Sequence, residues 1–352
     1  MDQILAEYRI YLRKRRFFLG TTVILLAAFI VIGISLGSSR IPLWDVLAAL
    51  LGGSNKVYAR IIWSIRAPRV LAAALAGCAL AVSGAAMQSI LRNPLGSPFT
   101  LGISQAAAFG AAFAIIALDA GSVQSSVTDA VILNNPYLVS GSAFLWSLSA
   151  TGMVLLMARY RGATPQTMVL TGIVVGSLFN ASITALEYFA DELQLASVVF
   201  WTFGDLGRSS WRDFLILAWA AIPALLYFMR NSWRYNALDA GDETAKSLGI
   251  NTDRLRIEGM VIASMATALV VSFFGIIAFV GLVVPHIVRR SIGSNQRFLI
   301  PVTALFGGFF LLAADTAART IIAPVVLPVG ILTSFLGGPL FLFLLIKGSR
   351  RN

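Results

Sequence analysis

Long runs of apolar residues recur along this chain and are separated by short polar segments. Residues 22–36 and 339–346 are two examples. A transmembrane strand would alternate apolar and polar positions over about 10 residues, and these runs do not alternate. A helix needs about 20 apolar residues to cross the hydrocarbon core, and it satisfies its backbone polar groups within the segment. The pattern therefore predicts membrane-spanning helices.

The positions of these runs predict ten spans. They cover residues 17–37, 69–90, 99–118, 137–158, 167–189, 213–230, 257–278, 280–290, 298–317 and 327–347. The eighth span is short, but without it the number of crossings would be odd and the basic C-terminal tail would fall on the other side. We therefore predict an all-α polytopic membrane protein with about ten transmembrane helices, in a single transmembrane domain over residues 1–352.

Composition and charge agree with this pattern. The chain is 58% hydrophobic and 12% charged, whereas a soluble domain carries about 25% charged residues. The net charge of +11 would suggest nucleic-acid binding in a soluble protein, but in a membrane protein it indicates basic cytoplasmic loops. With the N-terminus inside, most of the 27 lysines and arginines lie on the cytoplasmic side, so both termini are predicted to be cytoplasmic.

The N-terminus has features of a signal peptide, because Arg13, Lys14, Arg15 and Arg16 precede an apolar stretch. That stretch is about 20 residues long, whereas the apolar region of a signal peptide has about 7–15. We therefore interpret it as an uncleaved first span.

An internal repeat relates two parts of the chain. Residues 84–113 align without a gap onto residues 281–310, and identical residues include the pairs Gly84 and Gly281, Arg92 and Arg289, and Gly110 and Gly307. Spans two and three would then run in the same direction as spans eight and nine. Parallel repeats of this kind occur in transporter folds, although two apolar hairpins can also match by coincidence.

Residues that could perform chemistry are few. Cys78 lies in an apolar run and is interpreted as a small packing residue. His286 is the single histidine and is interpreted as structural. The sequence contains no G-x-x-x-x-G-K-[ST] phosphate loop, and no catalytic triad, carboxylate pair or metal cluster with usable spacing. We predict that the chain is not an enzyme and binds no cofactor.

Several motifs resemble those of the FecCD-type permeases, which are membrane subunits of ABC importers for ferric siderophores, haem and cobalamin. In chain order they are Arg66-Ala67-Pro68-Arg69, Gly84-Ala85-Ala86-Met87-Gln88, Asn93-Pro94-Leu95-Gly96, Leu101-Gly102-Ile103-Ser104, Leu248-Gly249, the segment from Phe279 to Arg289, Ala314-Asp315-Thr316-Ala317-Ala318-Arg319, Leu327-Pro328-Val329-Gly330-Ile331 and Gly337-Gly338-Pro339. The ordered set is more specific than any single block.

The resemblance implies a multi-subunit transporter in the cell inner membrane. Its partners would be a second permease subunit, identical or paralogous, two ATP-binding cassette subunits and a periplasmic or lipid-anchored substrate-binding protein. ATP and Mg²⁺ would bind the ATPase subunits. The substrate would be an iron–siderophore complex, or alternatively haem or cobalamin.

Arginines at predicted outer ends of spans run against the usual charge distribution. Arg66 and Arg69 lie three residues apart and can share a helix face, and Arg319 ends another span. The family resemblance implies that these three dock carboxylates of the binding protein, to which arginine is suited; headgroup snorkelling is the alternative. Asp315 can pair with Arg319 within the helix. Arg208 and Arg212 are weaker docking candidates.

The longest predicted cytoplasmic loop covers residues 231–256. Gly241 and Gly249 can flank a short helix, and Ala245 and Leu248 would give it a small apolar face. The resemblance implies that this loop couples to the ATPase, with Asp239, Gly241, Glu243, Ala245, Leu248 and Gly249 as the coupling residues. A solvated hairpin without this role is the alternative.

Polar residues in and before the fifth span are candidates for the transport pathway. The resemblance implies a gate at Thr164, Gln166 and Thr167 and a pathway wall at Asn180 and Thr184. Polar side chains in a span usually face a cavity or another helix, and hydrogen bonding between helices is an equally good explanation of each.

The sequence therefore favours ATP-driven alternating access in an importer of metal chelates. The alternative is an ion-coupled secondary transporter, which commonly carries buried carboxylates or histidines at membrane depth. Glu187 and Asp315 are the acids nearest to membrane depth, and both fall near predicted outer ends. The absence of a central acid from the predicted spans weighs against this alternative.

Overall fold

The computed structural model describes residues 2–37, 41–53, 55–120, 122–124, 131–133 and 135–349. Its helices are α1 (Asp2–Ser35), α2 (Leu43–Leu50), α3 (Lys56–Ile61), α4 (Ala67–Ile90), α5 (Ile103–Ile116), α6 (Pro136–Arg161), α7 (Pro165–Tyr188), α8 (Glu192–Thr202), α9 (Trp211–Arg230), α10 (Ser232–Asp239), α11 (Asp242–Ser247), α12 (Thr252–Phe274), α13 (Val280–Ile292), α14 (Gln296–Thr320) and α15 (Val329–Ser349). A three-residue antiparallel pair, β1 (Ser122–Gln124) with β2 (Val131–Leu133), joins α5 to α6.

The predicted all-helical membrane fold is confirmed. Within the described residues, seven helical segments are long and apolar enough to cross a membrane, and α5 and the described part of α15 are shorter apolar helices. Each of the ten predicted spans coincides with one helix, with α13 as the short eighth. The sequence did not predict α2, α3, α8 and α10, because these short helices carry no apolar run of spanning length.

Helix α4 lies at the centre of the bundle. It packs most extensively on α14 and also contacts α9, α12 and α13. Its close approaches depend on glycine: a Cβ at Gly77 or Gly84 would overlap the backbone of Gly307 or Gly281, respectively. Small residues allow helix backbones in membranes to approach in this way. The first aligned pair of the internal repeat, Gly84 and Gly281, is therefore a direct contact.

The contacts along α4 fix the directions of its neighbours. Arg69 near its start meets Asp315 near the end of α14, and Ser89 in its last turn meets Gln296 at the start of α14. Helices α4 and α14 are thus antiparallel. Because α13 joins α14 through a short turn, α4 and α13 run in the same direction, as the repeat predicted.

These contacts define two ends of the bundle. The arginine end holds Arg69 and Asp315, and the hairpin end holds α10 and α11. A π-helical turn, Ile62–Arg66, joins α3 to α4 at the arginine end, and the amide of Ala67, which follows it, donates to the carbonyl of Ile62. Pro68 lacks an amide hydrogen and so cannot make the ordinary helical bond at this point, which accounts for a local change of helical register.

Candidate functional site

The three arginines predicted to dock a partner lie together at the arginine end, and they bind acceptors within the chain. Arg66 is 5% exposed and its Nη1 donates to the carbonyls of Ile34 and Ser35, at 2.8 and 2.7 Å. The carbonyls at the end of α1 have no partners within their own helix. Arg66 therefore caps α1.

Asp315 is the acidic centre of this group, and its side chain is fully buried. Arg69 donates to it through Nε and Nη2, with the shorter contact at 2.7 Å, and Arg319 approaches it at 3.0 Å. Arg319 also donates to the carbonyls of Gly33 and Leu36. The predicted pairing of Asp315 with Arg319 is confirmed, and Arg69 is a second partner that the sequence did not predict. We call Arg66, Arg69, Arg319 and Asp315 the arginine cluster.

Accessible positive charge at this end is supplied by other residues. Arg208 and Arg212, the weaker candidates in the sequence, are exposed, and the guanidinium of Arg212 lies 4.7 Å from the ring centre of Tyr137. Asp205 lies 3.8 Å from Arg69 on the loop before α9 and is about one-third exposed. The arginine cluster is thus internal, whereas Arg208 and Arg212 carry exposed charge.

The predicted coupling loop contains two short helices at the hairpin end. The predicted flanking of a short helix by two glycines is confirmed: Gly241 precedes α11 with a φ of 122°, and Gly249 follows it with a φ of 77°. Both values lie in the region that glycine adopts without strain. Glu243 is exposed between them.

One detail of the coupling prediction was wrong. Ala245 and Leu248 do not form a common outward face, because Ala245 is fully buried against the bundle whereas Leu248 is 60% exposed. The two residues are three apart on a helix of under two turns, which ends between them, so they can point to opposite sides. Leu248 alone presents apolar surface outward.

Two buried polar side chains hold this segment to the bundle. Arg256 on α12 donates to both carboxylate oxygens of Asp242 at 2.8 and 2.6 Å, and Gln296 on α14 donates to Asp239 at 2.8 Å. The hydrogen bonds from Arg256, with further positive charge on Arg92 and Lys246, lower the pKa of Asp242 below its ordinary value. Neither Arg256 nor Gln296 was a candidate in the sequence.

The pathway candidates lie on α7, and most of them share one face. Residues 166, 170, 173, 177, 180, 184 and 188 recur every three or four positions, and all seven are exposed. We call them the α7 stripe: Gln166, Leu170, Ile173, Ser177, Asn180, Thr184 and Tyr188. Ser177 was missed in the sequence, although its spacing of three from Asn180 places it on the same face.

The polar groups of the α7 stripe differ in how they are satisfied. The hydroxyls of Ser177 and Thr184 donate to carbonyls one turn earlier. The side-chain amides of Gln166 and Asn180 have no hydrogen-bond partner in the described part of the chain. An amide left without a partner in hydrocarbon costs several kcal/mol. The stripe therefore suits water or another subunit better than lipid.

Thr164 and Thr167 have a structural role at the start of α7. Thr164 is the N-cap: its hydroxyl oxygen accepts the amide hydrogen of Thr167 at 3.2 Å and lies 2.9 Å from the Thr167 hydroxyl. Such a cap satisfies a backbone donor that lacks a partner within the helix. These two residues lie at the hairpin end, and their role in a gate stays a prediction.

Comparisons with known proteins extend over nearly the whole chain. A family model described as the FecCD transport family matches residues 25–347. A protein of Methanocaldococcus jannaschii, provisionally named an ABC transporter permease, is 52% identical over 98% of each chain. The hemin transport system permease protein of Yersinia pestis is 35% identical over 94% of this chain and 96% of its own length.

A solved structure has the same fold. It is an inward-facing conformation of a transporter provisionally classed as a metal-chelate type ABC transporter. The TM-score is 0.82 at 29% sequence identity, over 94% of this chain and 98% of that one. The arrangement of helices described above is therefore shared with a transporter across almost its whole length.

Proposed function

Because this chain belongs to the FecCD transport family, we propose that it is the membrane-spanning permease subunit of a binding-protein-dependent ABC importer. It is a multi-pass membrane protein, and the proposed location is the cell inner membrane with both termini in the cytoplasm. The proposed transport step moves a metal chelate across the membrane without covalent change. The energy would come from ATP hydrolysed on separate subunits.

The α10–α11 segment is the observation that carries this proposal. It places a short helix between two glycines at one end of the bundle, exposes Leu248, and is held to the bundle by buried polar contacts. An exposed apolar side chain on a firmly anchored short helix suits a cleft of a partner protein. We propose that two ATP-binding cassette subunits engage this helix, one for each of two permease subunits.

The arginine end is the proposed docking surface for the substrate-binding protein. The arginine cluster places three positive charges and one negative charge beneath this surface, and Arg208 and Arg212 add exposed positive charge. Such a field attracts carboxylates on a partner. We retain Arg66, Arg69 and Arg319 as docking residues in this proposal. They would attract the partner through the electrostatic field of the arginine cluster, and they would contact it directly only if their bonds within the cluster break.

The α7 stripe is the proposed wall of the transport pathway, at the interface with the second permease. It extends from Gln166 near the hairpin end to Tyr188 near the arginine end, and it mixes amides and hydroxyls with aliphatic side chains. A surface that combines weak polar and apolar contacts suits a large chelate that must not be held tightly. The proposed substrate is an iron–siderophore complex, with haem and cobalamin as alternatives. The hemin permease among the relatives supports this class.

Affinity purification from a mild detergent, followed by mass spectrometry, tests the proposed assembly. A tagged wild-type chain should recover an ATPase subunit, and Leu248→Glu should recover less of it because a charge replaces the exposed apolar side chain. The matched control is Leu51→Glu, since Leu51 is 88% exposed near the arginine end. Recovery of the wild-type chain without any ATPase, under conditions that preserve other ABC complexes, would contradict the proposal.

A further inference from the structure

Arg256 joins three helices through one buried guanidinium. The residue lies on α12 and is 2% exposed. Its Nη1 and Nη2 bind the two carboxylate oxygens of Asp242, the first residue of α11, and its Nε donates to the carbonyl of Ile90 at 3.2 Å. A bidentate pair of this kind fixes geometry as well as charge.

The carbonyl of Ile90 depends on Arg256 because of the local sequence. Ile90 is the last residue of α4, and a continuing helix would supply an amide hydrogen four residues later. Residue 94 is proline, which has no amide hydrogen. The guanidinium therefore takes the place of the missing backbone donor and binds the end of α4 to α11.

A second link runs beside the first. Gln296 is 1% exposed, and its Nε2 donates to the hydroxyl of Ser89 and to the carboxylate of Asp239, each at 2.8 Å. Its backbone amide donates to Asn236 at 2.7 Å. The last turn of α4 is thus linked to α10 by Gln296, which binds Ser89 and Asp239. It is linked to α11 by Arg256, which binds Ile90 and Asp242.

A turn that follows α4 contacts α7, although α5 and α6 lie between α4 and α7 in the sequence. A 3₁₀ turn, Pro98–Leu101, follows the last turn of α4, and it packs on α7 at a glycine: a Cβ on Gly172 would overlap the carbonyl of Thr100. A Cβ on Gly102, which follows the turn, would lie 2.9 Å from the amide nitrogen of Gly176. The segment that follows α4 is therefore in close backbone contact with the helix that carries the α7 stripe.

We propose that Arg256 and Asp242, supported by the Gln296–Asp239 link, are positioning residues that transmit movement of the α10–α11 segment to the end of α4 and on to α7. This inference rests on the proposed function. Without the link, the ATPase subunits would still hydrolyse ATP, but α11 would move without carrying α4. The quantity that the link controls is therefore the amount of substrate transported per ATP.

The test compares three variants in the complete transporter, reconstituted in liposomes with its ATPase and binding protein. Asp242→Asn and Arg256→Gln each remove charge from the link. The control is Arg254→Gln on the same helix, because Arg254 is exposed and its ion pair among the described residues is with Glu258, one turn away. We expect the ratio of chelate uptake to ATP hydrolysis to fall about tenfold in the first two, as for loss of a charge-assisted hydrogen bond, and to stay unchanged in the control.

Assembly is measured on each preparation from the amount of ATPase that co-purifies. If Arg256→Gln does not assemble, Asp242→Asn decides, since it keeps the shape of a side chain that is about one-third exposed. An unchanged ratio in Asp242→Asn, or a proportional loss of hydrolysis and uptake, overturns the proposed transmission and leaves the importer function standing. Failure of the wild-type transporter to show ATP-dependent uptake overturns both.

Discussion

At the scale of single residues, Asp315 neutralises and positions two arginines. Its side chain is fully buried, and Arg69 and Arg319 both bind it. Breaking a buried ion pair by removing one partner leaves an uncompensated charge, which is strongly destabilising. The cluster holds together the end of α1, the start of α4 and the end of α14, so its loss would loosen the whole arginine end.

We therefore expect Asp315→Ala to lower the free energy of unfolding by about 3–5 kcal/mol. The matched control is Asp205→Ala, because Asp205 is about one-third exposed and lies 3.8 Å from the same Arg69; its effect should be below about 1 kcal/mol. Thermal unfolding of both variants in detergent measures the difference. Equal shifts in the two would show that Asp315 is not the centre of the cluster.

Gly84 is a second residue on which the stability of the bundle depends. The helix backbones of α4 and α13 meet at Gly84 and Gly281, where an added Cβ has no room. We expect Gly84→Ala to destabilise the protein by about 1–3 kcal/mol, as overpacking does. Gly152→Ala is the control: Gly152 lies on α6 with open space around it, so alanine should be neutral or stabilising by up to about 1 kcal/mol.

At the scale of elements, α7 is the helix whose exposed surface has two faces of different chemistry. The α7 stripe contains Ser177, Asn180 and Thr184, whereas the neighbouring exposed positions include Val174 and Leu178. Both faces are exposed to a similar degree, so exposure alone does not distinguish a water-lined surface from a lipid-facing one. The placement of polar groups distinguishes the two surfaces, because unpaired side-chain amides are unfavourable in hydrocarbon.

Cysteine accessibility tests this assignment. In a Cys78→Ala background, we expect Asn180→Cys and Thr184→Cys in the assembled transporter to react with a membrane-impermeant thiol reagent. Leu178→Cys, on the other exposed face, should react much more slowly, because a thiolate forms poorly away from water. Equal labelling at the three positions would argue against a water-lined stripe.

The elements also show what a sequence can and cannot predict. The predicted spans coincide with helices because about 20 apolar residues in a row leave few alternatives to a spanning helix. Within the described residues, seven helical segments are long and apolar enough to cross a membrane, whereas α13 has only 13 residues. The short helix α11 was predicted from Gly241 and Gly249. The side on which Ala245 packs, and the burial of Arg66 and Arg319, depend on neighbours from distant parts of the chain. Arg256 was missed for the same reason: its partners Asp242 and Ile90 are neighbours only in the fold.

At the scale of the whole molecule, α4 connects the two ends of the bundle. Its 24 residues extend about 36 Å; Arg69 lies near one end within the arginine cluster, and Ile90 at the other is bound by Arg256. A buried helix held by charge at both ends suits a protein that relates binding on one side of a membrane to movement on the other. The proposed ATP-driven alternating access would use such a connection.

We propose that transport depends on ATP hydrolysed by partner subunits. The most direct measurement is uptake of a radiolabelled ferric siderophore, and in parallel haem or cobalamin, by liposomes that contain the purified complex and binding protein. We expect uptake with ATP and Mg²⁺ inside the liposomes, none without ATP, and no effect when an imposed proton or sodium gradient is collapsed. Uptake driven by such a gradient without ATP would contradict it.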